Sequence, residues 1–172
     1  MIEPTRDWVE WIAEKHPEAK PEWIIEALPS EKAVLLTPEH FKAVCNTLRT
    51  HELASFDQMH CVSGVDRKTH LEVVYHLFAF SRNERLIIKQ RVDREKPVTD
   101  TIADLWPAAE WHEREVYDLF GVYFHGHPDL RRILLPDDWE GHPLRKDYVQ
   151  PEFYGTYRID ATEPDRSGRP VN

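Results

Sequence analysis

The sequence predicts an α+β fold. Residues 1–121 are expected to form a two-layer domain with a mixed, mostly antiparallel sheet covered by helices, and residues 122–172 a long extended C-terminal tail. Three features predict it. The middle of the chain alternates residues with the period of two that a half-buried strand requires, and the segments on either side carry apolar residues at helical spacing. Glycine then divides the chain: Gly64 stands alone in the first part, and Gly121, Gly126, Gly141, Gly155 and Gly168 come later. Prolines at 128, 136, 143, 151, 164 and 170 punctuate the same stretch. Glycine releases φ and proline interrupts helices and ladders, so the chain beyond Gly121 reads as extended and irregular.

Asp7 to Lys15 places Trp8, Val9, Trp11 and Ile12 at the spacing of a short amphipathic helix that ends near Pro17. Trp23 to Glu26 and Ala33 to Leu36 read as short strands. Thr37 as N-cap and Pro38 at the first helical position open a second helix, whose face is Phe41, Val44, Cys45 and Leu48. Three longer strands follow, near Ser55 to Val65, Leu71 to Phe80 and Arg85 to Val92. The polar connections between them, Asp66 to His70 and Ser81 to Glu84, suit antiparallel hairpins.

On the central strand, Leu71, Val73, Tyr75, Leu77 and Ala79 make an apolar or aromatic face, and Glu72, Val74, His76, Phe78 and Phe80 a mixed one. Leu86 and Ile88 likewise oppose Lys89 and Arg91. Helices should cover the apolar face. A third helical pattern runs from Thr101 to Phe120, with Leu105, Ala109, Val116, Leu119 and Phe120 along one stripe. Pro107 is a break or a start in it, and Gly121 a natural C-cap.

Composition narrows the function. Hydrophobic residues make up 41% and charged ones 31% of the 172 residues, which is ordinary globular usage. No apolar run approaches the roughly 18 to 20 residues that cross a bilayer, and Ile2 to Lys20 lacks the pattern of a signal peptide, so membrane attachment is expected only through partners. The formal charge of -9 opposes nucleic-acid binding, which relies on cations that displace counterions from phosphates. Cys45 and Cys61 lack metal-ligand spacing and read as free thiols.

The densest charged run is Trp111 to Gly121. Glu110, Arg114 and Asp118 stand at four-residue steps on one helix face. Two readings compete: a solvated ladder, or an arginine held between two acids and presented to another chain. Glu113 and Glu115 do not make an acid and base pair, because residues two apart on a helix point about 200° apart. His112, His125, His127 and His142, with Glu113 or Asp129, suggest a metal site, but His112 falls on the apolar stripe and the others lie on a segment without helical spacing.

In the tail, Ile133, Leu134, Leu135, Trp139 and Tyr148 are too apolar for a disordered segment and call for a surface to lie on. Fully extended, residues 125–172 reach up to ~160 Å, which favours a second chain as that surface. The alternative is a tail folded back over its own domain.

The runs Glu113-Arg114-Glu115, Asp118-Leu119-Phe120-Gly121 and His127-Pro128-Asp129-Leu130-Arg131-Arg132-Ile133-Leu134 resemble the signature of the 30-kilodalton, or C-type, subunit family of respiratory complex I. Gly141-His142-Pro143-Leu144-Arg145-Lys146-Asp147-Tyr148 resembles the closing motif of that family. The likeness is contiguous from Trp106 to Tyr148, while Met1 to Thr101 resembles the family only in the order of its elements. Val149 and Gln150 depart from it where a proline often stands.

The resemblance implies a non-catalytic subunit in the peripheral arm of a proton-pumping NADH:quinone oxidoreductase, on the cytoplasmic face of a bacterial inner membrane. It implies packing against the D-type subunit of 49 kilodaltons, which holds the quinone site, and against neighbouring peripheral-arm subunits. It implies no cofactor or metal on this chain, while the whole complex uses NADH, FMN, iron-sulfur clusters and quinone. The expected partner interface is Glu113, Arg114, Glu115, Asp118, His127, Pro128, Asp129, Leu130, Arg131, Arg132, Trp139, His142, Pro143, Leu144, Arg145, Lys146, Asp147 and Tyr148. Two alternatives remain open: the equivalent subunit of a ferredoxin- or hydrogenase-linked membrane complex, and a small metal-dependent hydrolase built on His125, His127, His142 and a carboxylate.

Overall fold

The computed structural model describes residues 7–25 and 32–159; Glu26 and the tail beyond residue 159 lie outside the described residues. Helix α1 spans Trp8–Lys15. It starts where Asp7 caps it, the Asp7 Oδ1 accepting from the Val9 and Glu10 N–H groups at 3.0 and 3.2 Å. Trp8, Trp11 and Ile12 are its buried residues, and the helix ends at Lys15, two residues before Pro17. Strands β1 (Glu22–Ile25) and β2 (Lys32–Leu36) pair antiparallel. Helix α2 (Pro38–Thr50) begins at Pro38 as expected and buries Phe41, Val44, Cys45 and Leu48 completely. Burying each such side chain contributes about 1.5–3 kcal/mol.

Strands β3 (Gln58–Asp66), β4 (Leu71–Ala79) and β5 (Glu84–Val92) form consecutive antiparallel pairs. The whole sheet has the order β1-β2-β5-β4-β3, and β2 joins β5 in parallel, so it is mixed and mostly antiparallel. Leu71, Val73, Tyr75, Leu77 and Ala79 are at most 1% exposed, as the alternation required. The opposite face departs from the simple pattern: Glu72 and Lys89 are also buried. The Glu72 carboxylate accepts from Arg67 Nε at 3.0 Å and lies 3.8 Å from Lys89 Nζ. A buried charge persists where it has such partners.

Helix α3 covers Ala109–Phe120 and is shorter than the pattern from Thr101 suggested. Residues 101–108 are turns, in which Ile102 O accepts from both Leu105 N and Trp106 N, so Pro107 precedes the helix instead of interrupting it. Ile102 and Trp106 still enter the core, which is why the stretch mimicked a helical stripe. The C-cap is Gly121, at φ +75°. The core continues past it through Val122 and Phe124, because β6 (Val98–Asp100) pairs in parallel with β7 (Tyr123–His125) on either side of α3 in sequence. Beyond His125 the described chain has no helix, and its last strands are the short hairpin β8 (Phe153–Tyr154) and β9 (Tyr157–Arg158).

Candidate functional site

The charged run lands on α3, but its face is neither solvated nor laddered. Glu113, Arg114 and Asp118 are all buried. The surface that Arg114 and Asp118 meet is the chain's own tail.

Asp118 organises the contact. Its Oδ2 accepts from the backbone N–H groups of Ile133, Leu134 and Leu135 at 3.0, 2.8 and 2.9 Å, and its Oδ1 accepts from Arg132 Nη1 at 2.7 Å. Burial pushes this carboxyl up, yet the three N–H groups and the Arg132 guanidinium outweigh burial and hold it below the usual carboxylate range. Arg132 also donates to the Trp139 and Gly141 carbonyls, so it ties two stretches of the tail to the helix. Arg114 donates Nε to the Arg131 carbonyl and Nη2 to the Arg132 carbonyl, and its guanidinium lies 5.2 Å from the Trp111 ring centre.

A second group of contacts closes the C-terminus of α3. Its orphan carbonyls receive donors from the tail: Arg145 Nε reaches Phe120 O at 2.6 Å, the Leu144 N–H reaches Leu119 O, and His142 Nδ1 sits 2.9 Å from Asp118 O. Gly121 is needed here for space as well as for its φ, since a Cβ would meet His142 Nε2 at 2.5 Å. Lys146 is held through its backbone, the N–H donating to Asp66 Oδ2 at 2.8 Å. Arg94 bridges Asp66 and Asp147. Burial works against the Asp66 charge, but Arg94 and the Lys146 and Lys68 N–H groups bring its carboxyl well below the ordinary range.

Glu113 faces the other way, into the domain, accepting from Ile102 N at 2.9 Å and from the Thr101 hydroxyl. Burial dominates, and its carboxyl is pushed up to about 7. His127 carries its proton on Nε2: Nδ1 accepts from Asp129 N, and Nε2 donates to Glu110 O at 3.0 Å.

The remaining expected residues lie on or near the surface. Glu115 and Pro128 are exposed, and Asp129 and Arg131 pair with each other in water. Leu130 packs against the core, Pro143 is half-buried, and the Lys146 side chain is exposed. Trp139 donates Nε1 to Tyr148 Oη and packs its ring against Tyr154. His112 is half-buried beside Cys61, not packed in the core as its place on the stripe suggested. Among the described residues no group of three or more His, Cys, Asp or Glu side chains could hold a metal ion. His125 is exposed on β7, and His127 has both nitrogens engaged.

Sequence reasoning missed Asp66, Arg94 and Thr101. Asp66 read as the start of a polar hairpin, and it does fill that role, its Oδ1 accepting from Lys68 N. Nothing local marks it as the anchor of a tail segment 80 positions away.

A small α+β domain that clamps its own C-terminal segment across one helix is the class this geometry defines. The chain belongs to the family of the respiratory-chain NADH dehydrogenase 30 kDa subunit, whose model matches residues 34–154. It is 46% identical over 121 residues to the C subunit of NADH-quinone oxidoreductase from Chloroherpeton thalassium, spanning 69% of this chain and 50% of that one. Against the same subunit of a Chelativorans species it is 40% identical over 163 residues, 93% of this chain and 80% of the relative. The chain therefore spans half the length of one curated relative and most of another. Among solved structures, the trypsin-resistant fragment of Nqo5 is 30% identical with a TM-score of 0.58 and matches over 70% of this chain and 98% of the fragment. A chain of an archaeal membrane-bound sulfane sulfur reductase, described as a respiratory membrane complex, is 30% identical with a TM-score of 0.66, over 82% and 83% of the two chains.

Proposed function

We propose that the chain is a structural subunit of a proton-pumping NADH:quinone oxidoreductase, seated in the peripheral arm on the cytoplasmic face of a bacterial membrane. In this reading it packs against the quinone-site subunit, carries no active site or cofactor, and supports electron transfer from NADH to quinone by holding its neighbours in place. One observation carries the reading beyond family membership: large apolar side chains face outward on the clamped segment and just beyond it. Leu134 is 63% exposed, Val149 86% and Tyr157 77%. Apolar groups displayed on a pinned backbone are a ready surface for another protein, because little ordering entropy remains to be lost on docking. The charged residues expected at that surface supply its foundation.

The test is purification through a tag on this chain from gently solubilised membranes. The quinone-site subunit and NADH:quinone reductase activity should co-elute. The triple variant Leu134→Glu, Val149→Glu, Tyr157→Glu should keep its fold and lower the recovered activity by at least about tenfold, since each buried carboxylate is costly at an interface. Unchanged recovery would reject the reading.

The likeness to the sulfane sulfur reductase chain favours one second reading, the equivalent subunit of a membrane complex with another electron donor. Assaying the same eluate with NADH and with reduced ferredoxin separates the two.

A further inference from the structure

The five-stranded sheet ends at β3, which among the described residues pairs only with β4. A free edge presents a row of backbone donors and acceptors, and proteins ordinarily guard such edges with lysine, proline or an inward charge. β3 reads Gln58-Met59-His60-Cys61-Val62-Ser63-Gly64-Val65-Asp66, without lysine, arginine or proline. Its one formal charge, Asp66, sits at the end of the strand and is occupied by Arg94. The register shift between Met59 and Cys61 lies near the start of the strand and leaves residues 61–66 in regular pairing.

This edge borders a cleft of about 300 Å³, lined by residues 61–64 of the strand, by His112, Glu115 and Val116 of α3, and by Phe120 and Leu144. Leu144 is 52% exposed, and a Cβ on Gly64 would meet the Phe120 ring at 2.4 Å, so that ring rests against the strand backbone. Glu115 is the only formally charged side chain of the lining, and no cation accompanies it.

We infer that this cleft receives an extended segment of a partner polypeptide, which adds to the free edge of β3 as a sixth strand. The lining specifies the segment. Backbone groups at strand spacing select another strand. Val62, Val116, Phe120 and Leu144 select small apolar side chains, and Glu115, in a chain of net charge -9, selects a lysine or arginine among them. The chain's own residues 160–172 fit that description poorly, since Pro164 and Pro170 lack the N–H a strand needs, Ala161 and Val171 are their only small apolar side chains, and Arg166 and Arg169 come with three acids, Asp160, Glu163 and Asp165. The inference rests on the subunit reading above and adds to it a specific place of contact.

The two cysteines provide the assay, because Cys61 lines the cleft and Cys45 is fully buried. N-ethylmaleimide is applied to the isolated full chain and to the solubilised complex, with each cysteine followed by mass spectrometry and backbone amide exchange measured in parallel. Cys61 should react in the isolated chain and roughly tenfold more slowly in the complex, Cys45 should resist in both, and amides of residues 61–65 should exchange more slowly in the complex. Glu115→Arg should lower partner recovery by about tenfold and leave the melting temperature of the isolated chain unchanged, with Glu115→Gln falling between. Three results would overturn the added strand: equal alkylation of Cys61 in both states, an unreactive Cys61 in the isolated chain, or a protected thiol with unaltered amide exchange. If no partner subunit co-purifies, the subunit reading fails and takes the added strand with it. If partners co-purify and Cys61 stays reactive, only the added strand is lost.

Discussion

Asp118, with no exposed surface, holds the Arg132 guanidinium at 2.7 Å across 14 positions of sequence, and this pair is the centre of the clamp between α3 and the tail. The same carboxylate accepts three successive backbone N–H groups that no ladder or helix satisfies. Replacing it therefore strands three backbone donors at once and leaves the Arg132 guanidinium with carbonyl partners alone. Asp118→Ala should cost about 3–5 kcal/mol, the range for removing one member of a buried pair. Asp118→Asn should cost less, because an amide oxygen still accepts some of the N–H groups. Thermal unfolding gives the magnitude, and limited proteolysis should show new cuts in residues 127–148 before any in the sheet.

Acid should loosen the same junction. Asp66 and Asp118 both have carboxyls held below their unfolded range, so the unfolded chain binds more protons than the folded one as pH falls. Their contribution is fully present above the unfolded carboxylate pKa of about 4 and declines as pH drops through the lower folded values. Amide exchange of the N–H groups of residues 133–135 and of Lys146 should rise below about pH 4 while that of β4 stays slow. If β4 and the tail open together, the clamp is not a separate unit.

Arg145 belongs to the clamp through its Nε, which reaches the last carbonyl of α3 at 2.6 Å. Arg145→Glu removes this cap and sets a negative group at the negative end of the helix. A loss of about 1–3 kcal/mol is expected in the isolated chain, before any partner is involved. A reversal without effect on the melting temperature would place the residue's importance in a partner contact instead.

Much of the scaffold was legible because it is built from local periodicity. Leu71 to Ala79 alternates visibly, Phe41 to Leu48 repeats at helical spacing, and Pro38 and Gly121 mark helix ends by their own chemistry, whereas Thr37 stands at the N-cap without a side-chain hydrogen bond. The charged face of α3 was not legible in the same way. Spacing placed Glu110, Arg114 and Asp118 on one side, but whether that side meets water, a partner or the chain itself depends on where residues 127–148 return, which is a long-range fact. The tail's apolar content did show that it needs a surface, and the donors that engage Asp118 are mostly backbone N–H groups, which leave no mark in a sequence. The parallel pair β6 and β7 escaped notice because three-residue strands carry too little pattern.

Gly64 tests the packing of α3 on the sheet. Its Cβ position is filled by the Phe120 ring, at 2.4, 2.7 and 2.9 Å from three ring carbons. Gly64→Ala must displace that ring, and overpacking of this kind typically costs about 1–3 kcal/mol. Phe120→Leu in the same background makes room for the methyl group and should recover part of the loss, a coupling readable in a double-mutant cycle. Strict additivity of the two changes would place the strain elsewhere.

Glu113 acts on stability with the opposite sign to Asp66 and Asp118. Its carboxyl rises from an ordinary value of 4.5 to about 7, chiefly through burial, against the hydrogen bonds from Ile102 and Thr101 and with Asp104 adding repulsion that Lys42 offsets. Between those two pH values the unfolded chain has released the proton and the folded chain keeps it, so stability falls as pH rises across the window and levels off above about 7. The total loss is on the order of 3 kcal/mol. An amide cannot ionise, so the variant Glu113→Gln should melt near wild type at pH 4.5 and gain on it steadily up to neutrality. The new side chain's carbonyl can still accept from Ile102 N and its amide can donate to Thr101, which keeps the turn before α3 in place. Melting curves for the two proteins that run parallel from pH 4.5 to 7 would mean that Glu113 is ionised in the fold throughout, with the buried charge compensated by its two donors.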